Sequence, residues 1–271
     1  MNVGVHMTKP VVLITGASHG LGRAMATIYA KHGYSLLITG RDEKALAECA
    51  TESKNLGVAV YTFTQDLNSL YATDKLVQFI KQHHLDIEIL VNNAGLGSHS
   101  RFSALDEDDM HALLMVNVHS LVSLTRHILP MMLAKKKGQI INIASVYAYT
   151  SVPNQAIYAA SKSFVKSFSL GLAMELDNSG VSVSCVCPGS TTQTHFRKRI
   201  GLKAKDNCFS APADLIAKKI YNAAKKKKLV IIPMWYNRFF VLLMQCIPTF
   251  WLPRIVNFFV YRLRKIKEDK V

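Results

Sequence analysis

The stretch PVVLITGASHGLGRAMATIYAKHG, Pro10 to Gly33, decides how the rest of the chain is read. Val11 to Ile14 form an unbroken apolar run, the pattern of a strand buried on both faces. A loop carrying Gly16, Gly20 and Gly22 follows, and then a segment of helical composition. Strand, glycine loop and helix in that order open an α/β unit.

Outward from this unit the alternation repeats. YSLLITGRD, VAVYTFTQDL, IEILVNNAG, GQIINIAS and VSVSCVCPG read as five more strands, with LVIIP as a short last one. Between them lie helical segments: KALAECATESKNLG, LYATDKLVQFIKQHH, the long DEDDMHALLMVNVHSLVSLTRHILPMML, IYAASKSFVKSFSLGLAMEL and LIAKKIYNAAKK. The expected fold is α/β: a Rossmann-like, doubly wound parallel sheet of about seven strands with helices on both faces. Residues 1–233 are expected to form this domain, and residues 234–271 an apolar, basic C-terminal extension. Ligands in such a sheet bind at the carboxyl ends of the strands.

The chain has 271 residues, 49% of them hydrophobic, which is ample for one core. Its formal net charge of +15 is uneven. From Lys218 to Val271 there are 13 Lys/Arg against 2 Asp/Glu, whereas the preceding body carries 20 against 16. A basic tail suits an anionic surface or simply solvation. No nucleic-acid recognition motif accompanies it, so no nucleic-acid partner is expected. The five cysteines form no CxxC pair and fit a reducing, cytoplasmic compartment. Cys185 and Cys187 alternate within an apolar strand, where packing is the expected role. MNVGVHM lacks the basic start of a secretory signal.

The loop TGASHGLG, Thr15 to Gly22, combines Gly16, Ser18, His19, Gly20, Leu21 and Gly22 ahead of a helix N-terminus. Its glycines permit a tight turn, close backbone approach and close helix packing, and the helix end favours a pyrophosphate. The implied ligand is a dinucleotide. At the end of the second strand, where NAD sites place an acid, stand Gly40 and then Arg41. Arginine suits a 2′-phosphate, which favours NADP(H) over NAD(H); otherwise Arg41 is a turn residue and Asp42 holds the ribose. Asp66, followed by Leu67, either accepts from the adenine amino group or caps the next helix. Asn92, Asn93, Ala94 and Gly95 end the fourth strand with residues small enough for the cofactor to pass, or with an ordinary turn.

Tyr158 and Lys162 are four apart in a helical segment and share one face. An ammonium nearby is expected to lower the phenol's pKa and make it a usable proton donor. Ser145, thirteen residues before Tyr158 at a strand end, can bond the oxygen that gains charge when hydride reaches a carbonyl.

Taken in order, TGASHGLG, NNAG, Asn117 within LLMVNVHS, Ser145, Tyr158-x-x-x-Lys162 and the CPG of Cys187 to Gly189 resemble the short-chain dehydrogenase/reductase family over residues 9–233. The resemblance implies an Asn117-Ser145-Tyr158-Lys162 tetrad, with Asn117 holding a helix kink and a water relay. It implies that Lys162 reaches the nicotinamide ribose and that Pro188 and Gly189 border the nicotinamide. A threonine is usual five residues after that proline; here Gln193 occupies the place. The contact then falls to a neighbour, Thr192 or Thr194, with Thr191 alongside.

Other clusters carry less. Asp106 to Asp109 sit at a helix start, where acids cap amides, and no zinc-ligand spacing occurs. Ser145 lacks the G-x-S-x-G turn of a hydrolase nucleophile. Phe239 to Pro253 is free of charge but shorter than a membrane span and interrupted by prolines. It is expected to touch an anionic membrane surface peripherally, to cover the substrate pocket, or to form an oligomer contact. The sequence thus predicts an NADPH-dependent oxidoreductase moving hydride between nicotinamide and an apolar, lipid-like ketone or secondary alcohol, assembled as a dimer or tetramer. The rival is a non-catalytic NADP(H)-binding sensor or scaffold.

Overall fold

The computed structural model describes residues 10–192, 210–248 and 250–258. Strands β1 (Val11–Thr15), β2 (Ser35–Gly40), β3 (Val60–Thr64), β4 (Ile87–Asn92), β5 (Gly138–Ile143), β6 (Val181–Val186) and β7 (Val230–Ile231) form one sheet ordered β3-β2-β1-β4-β5-β6-β7. Every pairing is parallel. The helices are α1 (Gly20–Lys31), α2 (Glu43–Lys54), α3 (Ala72–Gln82), α4 (Glu107–Leu114), α5 (Ser120–Ala134), α6 (Ala156–Glu175), α7 (Ala213–Ala224) and α8 (Trp235–Cys246). The doubly wound sheet of seven strands is as the sequence predicts. The chain winds outward through β1, β2 and β3, then returns past β1 to β4, which opens a crevice at the carboxyl ends of β1 and β4.

Alternate residues of β1 explain the two layers, because successive side chains on a strand point to opposite faces. Val12 and Ile14 join the core with Met25 and Tyr29 of α1, Leu46 of α2 and Ile220 of α7. Val11 and Leu13 join Leu76 and Ile80 of α3, Ile128 and Met132 of α5 and Leu172 of α6. A strand buried on both sides must be apolar throughout, and β1 is. Edge strand β3 is only half covered, so its apolar pattern is weaker and its paired part is shorter than the run VAVYTFTQDL.

The long apolar helix expected after residue 106 is continuous over Glu107–Ala134, but a π-helical turn at Met115–His119 divides α4 from α5. Leu113, Val116, Leu121, Leu124 and Ile128 are buried, so its hydropathy is that of a core helix. Asp106 caps α4, accepting from the amides of Asp108 and Asp109 at 2.9 and 3.2 Å. That accounts for the acidic cluster.

Beneath the crevice runs a buried polar chain. Asn92 Nδ2 donates to Thr125 Oγ1 at 3.1 Å and to Asn142 Oδ1 at 2.9 Å. Asn142 Nδ2 donates to Ser169 Oγ at 3.0 Å, which in turn donates to the Val165 carbonyl at 2.6 Å. Helices α5 and α6 are thereby tied to β4 and β5. Within the C-terminal extension, α8 packs on a 3₁₀ turn, Val146–Tyr149, that follows β5. Asn237 and Val241 form its buried face. Pro253 then lies beside Thr150 to Pro153 and the head of α6.

Truncating Asn142 removes one acceptor and one donor inside the core, and an unpaired buried polar group costs about 1–3 kcal/mol. Asn142→Ala is therefore expected to lower the urea midpoint with the slope unchanged, a Tm loss of about 2–4 °C per kcal/mol. An unchanged midpoint would show that the chain of amides contributes nothing to stability.

Candidate active site

The crevice is a cleft of about 400 Å³ running from the glycine loop to α6. At its centre the ends of β1 and β4 are clamped together. Asn93 Nδ2 donates to the carbonyls of Thr15 at 2.9 Å and Gly16 at 3.2 Å. Thr15 Oγ1 accepts from the amides of Asn93 and Ala94 at 3.0 and 2.9 Å. Gly16 takes φ +67°, and a Cβ there would fall 2.9 Å from Ala94 Cα. Gly22 does not line the cleft; its bare Cα lets α1 pack to within a 2.2 Å virtual Cβ distance of the Gly16 carbonyl. Helix α1 begins at Gly20 with no side-chain cap and no acid in its first turn. Its first amides are thus available to an anion, unlike those of α2 and α4, which Asp42 and Asp106 cap.

The far end of the cleft gathers Ser18, His19, Leu21, Arg41, Asp66 and Leu67, all named from the sequence, with Asp42 and Gln65 beside them. A Cβ on Gly40 would meet Ser18 Oγ at 2.3 Å, so a side chain at that position would require the Ser18 hydroxyl to turn away. The Asp42 carboxylate caps α2 through the Ala45 amide at 3.0 Å and pairs with His19 Nε2 at 2.8 Å. Arg41 stands 3.7 Å from Asp66, its side chain 43% exposed. Asp66 does not cap the next helix: Oδ1 accepts from the Asn68 amide at 3.0 Å within a turn, and α3 starts only at Ala72.

The near end gathers Ser145, Tyr158 and Lys162 with Asn93, Ala94, Gly95, Pro188, Gly189 and Thr191. Ser145 follows β5 and caps the 3₁₀ turn, its Oγ accepting from the Tyr147 amide at 3.2 Å. Tyr158 and Lys162 are buried on one face of α6. Lys162 Nζ donates to the Ile143 carbonyl at 2.9 Å and stands 5.9 Å from the Tyr158 ring centroid. Asn117 lies behind the cleft wall, in the π-helical turn. Its Oδ1 accepts from the Leu96 amide at 2.7 Å, and its Nδ2 donates to the Leu96 carbonyl at 2.9 Å and to Ser161 Oγ at 3.0 Å. The expected helix distortion is present, and the asparagine joins it to the loop after β4 and to α6. Gly95 is confined by the same groups, since a Cβ there would lie 3.3 Å from Asn117 Oδ1 and 3.4 Å from Lys162 Nζ.

One electrostatic expectation is reversed. Burial, opposed by a hydrogen bond from Ser145, pushes the Tyr158 phenol up to about 12. Burial also pulls the Lys162 ammonium down from 10.5 to about 8. The ammonium is directed at the Ile143 carbonyl, and desolvation is the largest influence on both groups. Among the threonines, Thr191 lines the cleft, whereas Thr192 does not and bonds the Ala211 carbonyl through its amide at 2.9 Å. Gln193 and Thr194 lie outside the described residues. Cys185 and Cys187 are buried with their sulfurs 3.8 Å apart, consistent with packing.

The sequence offered no signal for Gln155. Its buried side chain lines the cleft and meets His99 Nδ1 at 3.1 Å, joining the loop after β4 to the start of α6. An Asn-Gln pair before a helix looks like an ordinary loop.

The lowered Lys162 value has a consequence for stability. Below pH 8 the ammonium is charged in both states and burial opposes folding. Above pH 8 the folded form loses its proton while the unfolded lysine keeps one up to about 10.5. Stability contributed by this group therefore rises with pH across that window. Relative to Lys162→Met, the wild type should gain up to about 1.4 kcal/mol per pH unit between pH 8 and 9.5. Urea titrations of both proteins across that range measure it, and a pH-independent difference would show that the ammonium is not disfavoured by burial.

Comparison with known proteins agrees with this geometry. A family model described as short chain dehydrogenase matches residues 10–205. Serine 3-dehydrogenase of Agrobacterium fabrum is 34% identical over 228 residues, spanning 82% of this chain and 90% of its own length. A short-chain dehydrogenase from Sphingobium yanoikuyae in complex with NADPH shares 29% identity at a TM-score of 0.79, covering 88% of this chain and 96% of its own. A short chain dehydrogenase/reductase from Burkholderia phymatum in complex with NAD shares 25% identity at 0.77, covering 87% and 92%. The crevice between β1 and β4, with an uncapped helix at one end and Ser145, Tyr158 and Lys162 at the other, is therefore that of a short-chain dehydrogenase/reductase, and this chain belongs to that family of nicotinamide-dependent oxidoreductases acting on alcohol and carbonyl groups.

Proposed function

We propose that this enzyme is an NADPH-dependent carbonyl reductase for an apolar ketone, working through Ser145, Tyr158 and Lys162. The observation that carries the reading is the convergence of those three side chains at one end of a single cleft whose other end offers the α1 amides and Arg41. When bound, the nicotinamide supplies the hydride. The α1 N-terminus and the Gly16–Gly20 loop hold the pyrophosphate. Arg41 holds the 2′-phosphate. This preference rests on position 40 being glycine rather than an acid and on Asp42 being engaged by Ala45 and His19. Gly95 leaves space for the ribose beside Lys162 Nζ.

Ser145 Oγ and Tyr158 Oη face the carbonyl oxygen of the substrate. As negative charge builds there, the Tyr158 hydroxyl gives up its proton and Ser145 donates a hydrogen bond. The buried phenol keeps its proton at neutral pH and so has one to give. Lys162, protonated below about 8, stabilises the phenolate left behind. Asn117 keeps the Leu96 loop and α6 in register for this exchange. Leu96, Val116, Val146 and Tyr147 wall this end of the cleft, which favours an apolar substrate.

Helix α8 supports a location at an anionic membrane surface. Trp235, Phe239 and Leu242 are 73%, 61% and 63% exposed, with Arg238 between them and Arg254 further along the chain. Such a site would let a lipid-like ketone enter from the bilayer.

Tyr158→Phe should lower kcat/KM by roughly 10²–10⁴ while NADPH affinity stays within a few-fold. Turnover with a panel of apolar ketones and fluorescence titration measure the two quantities. Wild-type protein that binds NADPH and reduces no ketone in a broad panel would overturn the reading. Arg41→Ala should weaken NADPH by about tenfold or more and leave NADH nearly unchanged. Equal losses for both would remove the 2′-phosphate role. Full-length protein should float with phosphatidylserine vesicles and lose this with Trp235, Phe239 and Leu242 all changed to Ser; equal flotation would exclude the membrane role of α8.

A further inference from the structure

The strip Pro188 to Thr191 forms the wall of the cleft that also carries Ser145, Tyr158 and Lys162. It is held at two points by backbone bonds. The Pro188 carbonyl accepts from the Val146 amide at 3.0 Å, and the Ser190 carbonyl accepts from the Ala211 amide at 3.1 Å. Between these points, at Gly189, the support comes from the C-terminal extension. A Cβ on Gly189 would lie 2.2 Å from Asn237 Nδ2 and 2.8 Å from Oδ1. Gly189 is not among the glycines with positive φ, so no backbone conformation demands it. What demands glycine at 189 is the amide of Asn237.

Asn237 is 7% exposed, on a helix whose other large side chains mostly face outward. Its partner on the inner face, four residues on, is Val241. If packing alone mattered, an apolar residue would serve at 237 without the desolvation cost of an amide. The amide lies flat against the bare Cα of Gly189, where its nitrogen, carbon and oxygen all come within 2.8 Å of the place a Cβ would take.

We propose that Asn237 is a positioning residue: it backs Gly189 and sets how deep the reactive end of the cofactor sits against Tyr158. This rests on the NADPH reading above and deepens it. The C-terminal extension then completes the active site, because α8 bears on both the Pro188–Gly189 strip and the Val146–Tyr149 turn that follows Ser145.

The test uses the full chain and three variants: Asn237→Ala, Gly189→Ala and the double variant. NADPH binding, binding of adenosine 2′,5′-bisphosphate, kcat and the isotope effect with C4-deuterated NADPH are measured, with Tm as a control. Asn237→Ala should weaken NADPH or lower kcat by about tenfold to a hundredfold, with a larger isotope effect. Adenosine 2′,5′-bisphosphate, which lacks the nicotinamide half, should bind within twofold of wild type. Gly189→Ala should be impaired in the Asn237 background and recover in the double variant, since the new methyl then has room. The proposal is overturned if Asn237→Ala matches wild type in all kinetic readouts, if both ligands weaken equally, or if removing Asn237 brings no recovery to Gly189→Ala. Wild-type protein that binds neither ligand overturns the NADPH reading instead, and is distinguished by that result.

Discussion

The molecule depends on one contact, the clamp between Thr15 and Asn93 at the carboxyl ends of β1 and β4. The chain reverses its direction of travel across the sheet at this point, so two neighbouring strands send their connections to opposite sides. Thr15 gathers two amides on one hydroxyl, and Asn93 reaches back to the carbonyls of Thr15 and Gly16. Gly16 allows the approach by taking a left-handed conformation where a Cβ would strike Ala94. The glycine loop thereby acquires a fixed distance from β4, and the α1 amides point into the cleft rather than past it.

From the clamp, order passes to the chemical end through buried polar groups. The Asn117 side chain, carried on the π turn, bonds Leu96 and Ser161 and so joins that turn to the loop after β4 and to α6. Ser161 lies next to Lys162, whose ammonium is fixed on the Ile143 carbonyl at the end of β5. Burial that raises the phenol and lowers the ammonium keeps both groups neutral more readily than water would. The site thus concentrates two costly ionisations in one place, a common feature of catalytic pairs. It is carried by a core whose apolar layers are continuous on both faces of the sheet.

The C-terminal extension is part of the same arrangement. Its inner face meets the turn after Ser145 and the strip at Gly189, while its outer face leaves aromatic side chains in solvent. Those two faces have different physical reasons. The inner one is shaped by contact with backbone, where a single amide fits against a glycine. The outer one leaves Trp235, Phe239 and Leu242 exposed, which is why an apolar surface bearing negative charge is the natural partner to test.

The alternation of strands and helices, the glycine loop and the positions of Ser145, Tyr158 and Lys162 were legible from residue pattern alone, because each follows from a local rule. A strand covered on two faces must be apolar, a tight turn beside a phosphate must be glycine, and residues four apart on a helix share a side. Asn117 was legible only through family resemblance, since a lone asparagine inside a helix carries no local signal. The direction of the Tyr158 shift, the withdrawal of Asp66 from capping, the engagement of Asp42 by His19, and the roles of Gln155 and Asn237 were decided by tertiary structure. Each of these depends on what lies across a gap of tens of residues: how deeply a group is buried, which carbonyl an ammonium finds, whether a methyl would strike another chain segment. Periodicity and spacing encode which face a residue occupies, whereas desolvation and steric contact exist only once distant segments have been brought together.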